Sequence, residues 1–213
     1  MCIRDRVPTH PIRAATATNG SFRAMKLSIG ELADGRRIAA LAAGFDAAED
    51  HALVQLFDVS AGSSEAPRPL GVARGGRPGG NSVYAELIRR EERTFAVVAE
   101  AGSGVLCFDV SDPRRPVAGA RWEVPRDPFD GEPDTVLDVE VRGHRAYVAC
   151  SRHGVVVLDL TDPGGGDLPV LAADDTPGLA YGVATAELAE GTVLVVGDHQ
   201  GGVRLYAIPS SSE

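Results

Sequence analysis

The sequence has few aromatic residues, three cysteines and no excess of basic residues, and each shortage narrows the range of functions. Lys and Arg number 21 against 30 Asp and Glu, which gives a formal net charge of −9 at pH 7. Nucleic acids and anionic membrane surfaces bind clustered positive charge, so neither partner is expected. No run of residues approaches the roughly 20 apolar positions of a membrane-spanning helix, so no direct membrane insertion is expected. Proteins, small molecules and cations remain as ligand classes.

The cysteines show no metal-binding spacing, and a disulfide or a nucleophile is the less favoured interpretation. Cys2 lies close to the start of the sequence, and no CxxC spacing occurs anywhere. Cys107 and Cys150 stand in strand-like segments whose sister segments carry residues such as Val, Leu and Ala at the same place. This pattern predicts small, buried and unreactive thiols.

Glycine and proline are abundant in contrast, at 25 and 14 residues, and they punctuate a repeated phrase. The phrase reads LVQLFDVS at 53–60, GVLCFDVSDP at 104–113, GVVVLDLTDP at 154–163 and GVRLYAIP at 202–209. Its anchor residues, Phe57, Phe108, Leu158 and Leu205, are 51, 50 and 47 residues apart. A period of this length is typical of architectures that repeat one supersecondary unit.

Each anchor belongs to the third of four strand-like runs. The first runs are FRAMKLSI, SVYAELI, TVLDVEV and LAYGVAT, and the second are RIAALAA, TFAVVAE, RAYVACS and TVLVVGD. A fourth run led by Pro follows in three units, as PLGVA, PVAGARWEV and PVLAA. Short turns between the runs favour hairpins, so each unit is predicted to be an antiparallel meander. The unbroken apolar third runs indicate strands covered on both faces.

Four-stranded units repeated in tandem predict an all-β fold, a β-propeller whose antiparallel blades pack face to face. The units span about residues 19–73, 82–124, 135–173 and 179–209, and 210–213 form a tail. The fourth unit lacks a fourth run, whereas PIRAATAT at 11–18 stands before the first unit as an orphan fourth strand. Two arrangements follow. Either residues 11–18 complete the last blade of a closed four-bladed ring, or the chain is part of a larger ring.

The first ten residues are expected to lie outside the fold. The stretch MCIRDR resembles the translated end of a library-preparation adapter, so residues 1–10 are interpreted as an adapter-like artefact or a disordered segment. The chain would then be an N-terminally truncated metagenomic fragment, and we favour part of a larger ring on this ground. Localisation stays open on the residues alone.

The phrases AYVACSRHGVVVLDLTDP and FAVVAEAGSGVLCFDVSDPRRPV resemble the LVIVD repeat of bacterial and archaeal β-propellers. The resemblance extends from about residue 11 to 209 and is strongest in the second and third units. Unit one lengthens the turn, and unit four has Tyr206 in place of the Asp and lacks the Asp-Pro. The resemblance implies an exported or cell-surface binding or scaffold module, with structural motif residues and no catalytic residue to carry over.

Acidic residues occur before the turn that follows the third strand and in an insertion at 44–52. For both groups a metal-binding and a structural interpretation are possible. Asp58, Asp109 and Asp159 precede the third turn. A ring of carboxylates could hold a hard cation such as Ca²⁺, but Asp in a turn also accepts the backbone N–H groups of its own turn, and this structural interpretation is favoured. In the insertion GFDAAEDHA at 44–52, the carboxylates together with His51 could ligate a metal, but the spacing fits no EF-hand loop, and a solvated acidic loop is favoured.

Three histidines, His51, His153 and His199, fall in turns between second and third strands and therefore on one rim, opposite His144. They could bind a metal or act as bases, although turn tips of neighbouring blades are far apart. The same rim carries the connections between blades, where ligands of rigid scaffolds usually bind. The candidate ligand-binding residues come from this rim, with Asp138 facing the channel: Arg77, Asp127, Asp130, Asp138, Arg152, His153, Asp198 and His199.

The sequence contains no nucleophile elbow, zinc-protease motif or phosphate-binding loop. The glycine-rich run GVARGGRPGG at 71–80 is interpreted as a flexible connector. The sequence therefore predicts a non-catalytic propeller that binds or scaffolds, and no catalytic residue, metal or cofactor is assigned. The alternative is a metal-dependent propeller enzyme of the hydrolase or lactonase type, with its site at the rim or central channel.

Overall fold

The structure, a computed structural model, describes residues 24–46, 51–60, 67–78, 81–126, 131 and 134–208. Within these ranges the chain forms fifteen β-strands. No helix there is long and apolar enough to cross a membrane. The strands build three four-stranded sheets and one three-stranded sheet, each with its strands in chain order. The adapter-like segment 1–10, the orphan strand 11–18 and the tail 210–213 lie outside the described residues.

Every sheet is an antiparallel meander, as the repeat predicts. Sheet 1 contains β1 (Ala24–Glu31), β2 (Arg37–Asp46), β3 (His51–Asp58) and β4 (Arg68–Pro78). Sheet 2 contains β5 (Asn81–Arg90), β6 (Arg93–Ala101), β7 (Gly104–Asp109) and β8 (Val117–Glu123). Sheet 3 contains β9 (Asp138–Arg142), β10 (Arg145–Ala149), β11 (Val155–Asp159) and β12 (Val170–Asp174). In the described part of the chain, sheet 4 contains β13 (Ala180–Leu188), β14 (Gly191–Asp198) and β15 (Gly202–Ala207).

Consecutive sheets pack face to face, and apolar residues of their second and third strands fill the space between them. Phe95, Val97 and Val105 of sheet 2 share one core with Val148 and Leu158 of sheet 3. All five are at most 1% exposed. Alternate residues of the second strands, such as Val98 and Tyr147, are buried in the cores on the other side, so both faces are covered, as predicted. Similar cores lie between sheets 1 and 2 and between sheets 3 and 4. Each fully buried side chain of this size contributes roughly 1.5–3 kcal/mol.

The predicted buried cysteines lie in the core between sheets 2 and 3. Cys107 and Cys150 are both free and buried there. Burial raises the pKa of Cys107 to about 12 and raises the pKa of Cys150 as well. Because the thiolate is the reactive form, both residues are inert packing groups, which confirms the prediction.

The recurrent Asp residues close the turn that follows each third strand. In each case Oδ1 accepts the amide of the residue two positions on: the pairs are Asp58–Ser60, Asp109–Ser111 and Asp159–Thr161, at 2.9, 2.9 and 2.8 Å. The hydroxyl and amide of Thr161 lower the pKa of Asp159 by stabilising its charge. The structural interpretation of these carboxylates is confirmed, since each serves its own turn.

The first strands of the sheets lie closest to a common axis. Lys26 on β1 reaches Asp138 on β9, with Nζ 3.3 Å from Oδ1, although sheet 2 lies between their sheets in the stacking order. Successive first strands are also joined directly. The amides of Leu87, Val141 and Val183 donate to Ser28 Oγ, Glu86 Oε2 and Asp138 Oδ2, at 2.9, 2.9 and 3.2 Å. Stacked meanders whose first strands converge on one axis are the blades of a β-propeller.

The turn after β11 docks onto the outer strand of the preceding sheet. Pro163 and Gly166 accept the amides of Ala120 and Arg121 on β8, each at 3.0 Å, and Leu168 donates to Arg121 at 2.7 Å. The Asp-Pro phrase of one blade thus covers the edge of the blade before it. Sheet 4 lacks this phrase, and all five residues of β12 are exposed.

The glycine-rich run at 71–80 differs from its interpretation as a flexible connector. Strand β4 continues through Pro78, and its pairing with β3 extends to His51 opposite Pro78. A Cβ on Gly75 would overlap the carboxylate of Glu100, which is buried on β6 of the next sheet. The connector interpretation was wrong because close packing between sheets, rather than flexibility, requires a residue without a side chain here.

The anchor of the fourth unit is Tyr206 rather than Leu205. Tyr206 pairs with Leu194 as Phe108 pairs with Ala96, and it packs against the core between sheets 3 and 4. Leu205 is 62% exposed. A slip of one residue moves a side chain to the other face of a strand. Ala207, and not Tyr206, therefore stands where the other units have Asp.

Candidate functional site

Polar side chains of the first strands gather near the axis. We call this group the axial cluster, and its members are Lys26, Tyr84, Glu86, Asp138, Glu140 and Thr185. Tyr84 and Glu86 are two positions apart, and so are Asp138 and Glu140, so each pair lies on one face of its sheet. The cluster therefore draws on all four sheets.

Lys26 connects two members of the cluster. Its Nζ lies 3.8 Å from the centroid of the Tyr84 ring and 3.3 Å from Asp138 Oδ1. An ammonium over an aromatic face is stabilised by the ring quadrupole. The Lys26 side chain is half-exposed whereas Asp138 is mostly buried. The ion pair is therefore partly solvated, and its net contribution to stability is modest.

Glu86 is the member whose charge is most disfavoured. Its Oε2 accepts the amide of Val141 at 2.9 Å. Burial raises the pKa of Glu86 to about 7, and the charges of Glu140 and Asp138 act in the same direction, against the Val141 amide and Lys26. The same surroundings also raise the pKa of Tyr84, chiefly through burial. Glu86 therefore exchanges its proton near neutral pH while Tyr84 stays a phenol.

The remaining members hold sheets 3 and 4 together. Thr185 Oγ1 donates to Glu140 Oε1 at 3.0 Å, and the amide of Val183 donates to Asp138 Oδ2 at 3.2 Å. Above about pH 7, where Glu86 is ionised, the cluster has three carboxylates against one ammonium, which favours cationic or hydrogen-bond-donating ligands over anions. Across the described residues, no three His, Cys, Asp or Glu side chains are grouped so that they could hold a metal ion.

A second polar site lies at the rim, where Asp134 holds His153. Asp134 Oδ2 accepts the backbone amide of His153 at 3.0 Å and lies 2.7 Å from its Nδ1. The amide of Thr135 donates to the other carboxylate oxygen at 2.7 Å. This geometry suits a proton on Nδ1, which leaves Nε2 as an acceptor on a partly exposed ring. Of the predicted rim residues, His153 is thus held in one orientation.

Asp134, His153 and the nearby Cys150 are the residue types of a nucleophilic triad, but they cannot work as one. Cys150 is fully buried, and burial together with the charge of Asp134 raises its pKa. A thiol that stays protonated and is closed to substrate is not a nucleophile. The Asp–His pair is therefore left without an adjacent nucleophile.

Asp198 and His199 were also predicted; Asp198 is the last residue of β14, and His199 is the first residue of the turn to β15. Asp198 is buried, and its carboxylate accepts the amides of Gly178, Gln200 and Gly201 at 3.1, 3.2 and 2.9 Å. These contacts give Asp198 a structural role in the turn. His199 is exposed, with its ring centroid 5.6 Å from that of Tyr181.

The other predicted residues are placed only in part. Arg152 is exposed in the turn that carries His153, and Asp138 belongs to the axial cluster. Arg77 lies in β4, where only its backbone is described. Asp127 and Asp130 lie outside the described residues, as do Glu49 and Asp50 of the acidic loop.

Sequence reasoning missed most of the axial cluster. It identified Asp138 but not Lys26, Tyr84, Glu86, Glu140 or Thr185. A signal was present in the first runs, because KLS, YAE and DVE each carry two polar side chains at alternate positions. Alternation of this kind marks one face of a strand, and the first strand of a propeller blade lies next to the axis.

Comparisons with known proteins establish the fold. No protein-family model matches the chain, and no curated protein matches it. The chain is similar to a solved structure, that of the computationally designed Ika4 protein, a designed β-propeller. The TM-score is 0.60 at 10% sequence identity, over 91% of this chain and 96% of that one. At this identity the similarity shows the fold alone: the protein is an all-β chain with a β-propeller fold.

Proposed function

We propose that the protein is a non-catalytic β-propeller binding or scaffold module whose ligand contacts the axial cluster. One observation carries this proposal. In the described part of the chain, the cysteines are buried and the recurrent Asp residues are committed to their own turns, whereas Glu86, Asp138 and Glu140 line the axis and are partly exposed. A site with polar groups but no activated nucleophile favours binding over chemistry.

We also propose that the chain is related to the LVIVD-repeat propellers. The repeated phrase with its Asp-Ser-Asp-Pro or Asp-Thr-Asp-Pro turn supports this relationship. The structural role of the Asp in that turn is compatible with it. We propose an exported or cell-surface location only on the basis of this relationship.

The charge of the axial cluster favours a particular class of ligand. With Glu86 ionised, three carboxylates face one ammonium, and the whole chain carries a formal charge of −9 at pH 7. Nucleic acids would be repelled by this balance. A small organic cation, or a basic segment of a partner protein, matches it.

Spermidine, a small organic polycation, tests the proposal in a thermal-shift and calorimetric titration at low salt. The protein should be stabilised by spermidine and not by citrate, because a ligand that binds only the folded state raises its melting temperature. Glu86→Gln with Glu140→Gln should abolish the shift, since glutamine keeps the hydrogen-bond acceptors and removes the charges. Glu92→Gln with Asp175→Asn is the matched control, as it removes two exposed charges elsewhere. Equal loss in both variants would contradict binding at the axis.

A metal-dependent propeller enzyme is the second candidate, and the Asp134–His153 pair favours it. A carboxylate on Nδ1 fixes the tautomer and leaves Nε2 as the acceptor, as in many metal-ligating and general-base histidines. Elemental analysis of the purified protein and assays with aryl esters and lactones distinguish the two functions. One divalent ion per chain, with turnover lost in His153→Ala, would replace the binding proposal. Absence of both would leave the binding module standing.

A further inference from the structure

Independently of any ligand, we propose that two copies of this chain associate head to tail, with sheet 4 of one copy packed on sheet 1 of the other. The contact would join two apolar faces. The first, which we call the leading face, comprises Leu27 and Ile29 on β1. The second, the trailing face, comprises Val203 and Leu205 on β15. Both faces lie at the ends of the stack of four sheets.

The leading face is apolar and exposed, whereas the equivalent positions of sheet 2 pack against sheet 1. Leu27 and Ile29 are 54% and 62% exposed. Strand pairing relates Ile29, opposite Ala39, to Leu87, opposite Ala96. It likewise relates Leu27 to Ala85, which is fully buried under sheet 1. Leu27 and Ile29 are thus uncovered in sheet 1, whereas their equivalents in sheet 2 face sheet 1.

The trailing face, on the opposite side of the stack, is likewise exposed although its counterparts in the other sheets are covered. Val203 and Leu205 are 70% and 62% exposed. Their counterparts in the other third strands are covered by the following sheet: these are Val54 and Leu56, Val105 and Cys107, and Val155 and Val157. Five of those six side chains are buried and the sixth is partly buried. One chain therefore carries both halves of an interface that it uses three times within itself.

Hydrogen bonding between blades points the same way. The amides of Leu87 and Val141 each donate to a side chain on the first strand of the preceding sheet. Ile29 has the same register, because it pairs with Ala39 as Leu87 pairs with Ala96. Its amide is therefore directed to where a preceding sheet would lie. Sheet 1 therefore has both features of an interior blade: an apolar face and a backbone amide, that of Ile29, available to a preceding sheet.

A second copy is the occupant that covers both faces at once. Two head-to-tail contacts related by a two-fold axis would close a ring of eight sheets, and propellers typically contain four to eight blades. The assembly would be finite, because no leading or trailing face would be left over. Exposed apolar faces of this kind mark association surfaces in soluble proteins. Closure within one chain, or further blades in a longer chain, are the competing occupants.

Light scattering coupled to size-exclusion chromatography tests the proposal. The wild-type chain should have twice the monomer mass. Ile29→Asp and Leu205→Asp should each be monomeric, because a charge in either face would be desolvated in the contact. Val117→Asp is the matched control, since Val117 is also 62% exposed but lies on the outer strand β8; it should leave the mass unchanged. Circular dichroism checks that each variant is folded.

Mixing the two monomeric variants makes the test specific for a head-to-tail contact. Each variant keeps one intact face, so an equimolar mixture should recover a dimer with one good interface. A mixture that stays monomeric would point to a contact between like faces and would overturn the proposal. A monomeric wild type would overturn it as well. If the wild type is monomeric and both Ile29→Asp and Leu205→Asp lower its melting temperature, the two faces contact each other within one chain.

Discussion

Strands β7 and β15 occupy the same place in their repeats and start from similar sequences, GVLCFD and GVRLYA, yet they have different surroundings. Sheet 2 has a sheet on either side, and Val105 and Cys107 are buried between sheets. Sheet 4 has only sheet 3 among the described sheets, and Val203 and Leu205 are exposed. An apolar strand therefore supplies only one half of a core, and the presence of a neighbouring sheet determines whether that half is buried.

The outer edges of the two sheets differ in the same way. In sheet 2, strand β8 covers β7, and the turn of sheet 3 covers β8 through the Pro163 and Gly166 carbonyls. In sheet 4 no fourth strand is described beyond β15. The chain is therefore most tightly organised in its middle, and substitutions at equivalent positions should have unequal effects.

Substituting the first glycine of the third strand, Gly104 in sheet 2 and Gly202 in sheet 4, should give the largest difference in unfolding free energy between the two sheets. Gly104 has a φ of 125°, and a Cβ there would overlap the carbonyl oxygen of Trp122 on β8. Gly202 has a φ of 77° and meets nothing within 4 Å. We expect Gly104→Ala to lower the free energy of unfolding by more than about 3 kcal/mol, and Gly202→Ala by about 1–2 kcal/mol from backbone strain alone. Guanidinium unfolding monitored by circular dichroism measures both.

This pair also tests what lies beside β15. If residues 11–18 formed a fourth strand there, the Gly202 position would be as crowded as that of Gly104. Similar losses in the two variants would then show that sheet 4 is complete in solution. Unequal losses would support the difference between the sheets.

The Asp turn gives an intermediate effect. Asp109 holds the amide and hydroxyl of Ser111 and pairs with Arg93, whereas the equivalent residue of sheet 4 is Ala207. Asp109→Ala should cost about 1–2 kcal/mol at neutral pH, because the turn loses its hydrogen bonds. Desolvation opposes the charge, but the bonds from Ser111 and Arg93 outweigh it and lower the pKa of Asp109.

The pH dependence of the Asp109→Ala effect follows from the sign of that shift. The stabilisation is complete above the pKa of the unfolded state, near 3.9, and is lost as the pH falls through the lower folded value. Unfolding titrations should therefore show wild type and variant converging in acid. A constant difference at all pH values would assign the loss to packing instead.

Glu86 should give the smallest effect. Burial raises its pKa from 4.5 to about 7, so between these values the folded state binds the proton more tightly than the unfolded state, and stability falls as the pH rises. Because the side chain is partly exposed, we expect a loss of about 1 kcal/mol from acid to neutral pH. Glu86→Gln should remove this slope, and Glu92→Gln, at an exposed position, should keep it. Identical slopes in all three proteins would contradict the burial of Glu86.

Much of the fold could be predicted from the sequence because patterns within a few consecutive residues determine the strands and turns. Turn residues such as Asp109 and the uninterrupted apolar run from Val155 to Leu158 determine hairpins and buried strands locally. The prediction failed at Leu205, where a repeat with weak identity allowed a slip of one residue. It also failed at Gly75, where the reason for the glycine is Glu100 on another sheet.

The candidate site was less predictable because it is assembled from different sheets. His153 was identified on the rim, but its partner Asp134 comes from a connection nineteen residues earlier in the chain. Lys26 and Asp138 are separated by 112 residues. Such contacts depend on the angle and order of the sheets, which residue patterns within one strand do not specify.

The central claim is that the neighbouring sheet, rather than the strand's own sequence, determines burial. Val105→Ala and Val203→Ala test it directly, since the two valines are equivalent in register and identical in type. Their free energies of unfolding should be compared in the Ile29→Asp background, in which no second copy would cover sheet 4. We predict a loss of about 2–3 kcal/mol for Val105→Ala and less than about 0.5 kcal/mol for Val203→Ala. Equal losses would contradict the account.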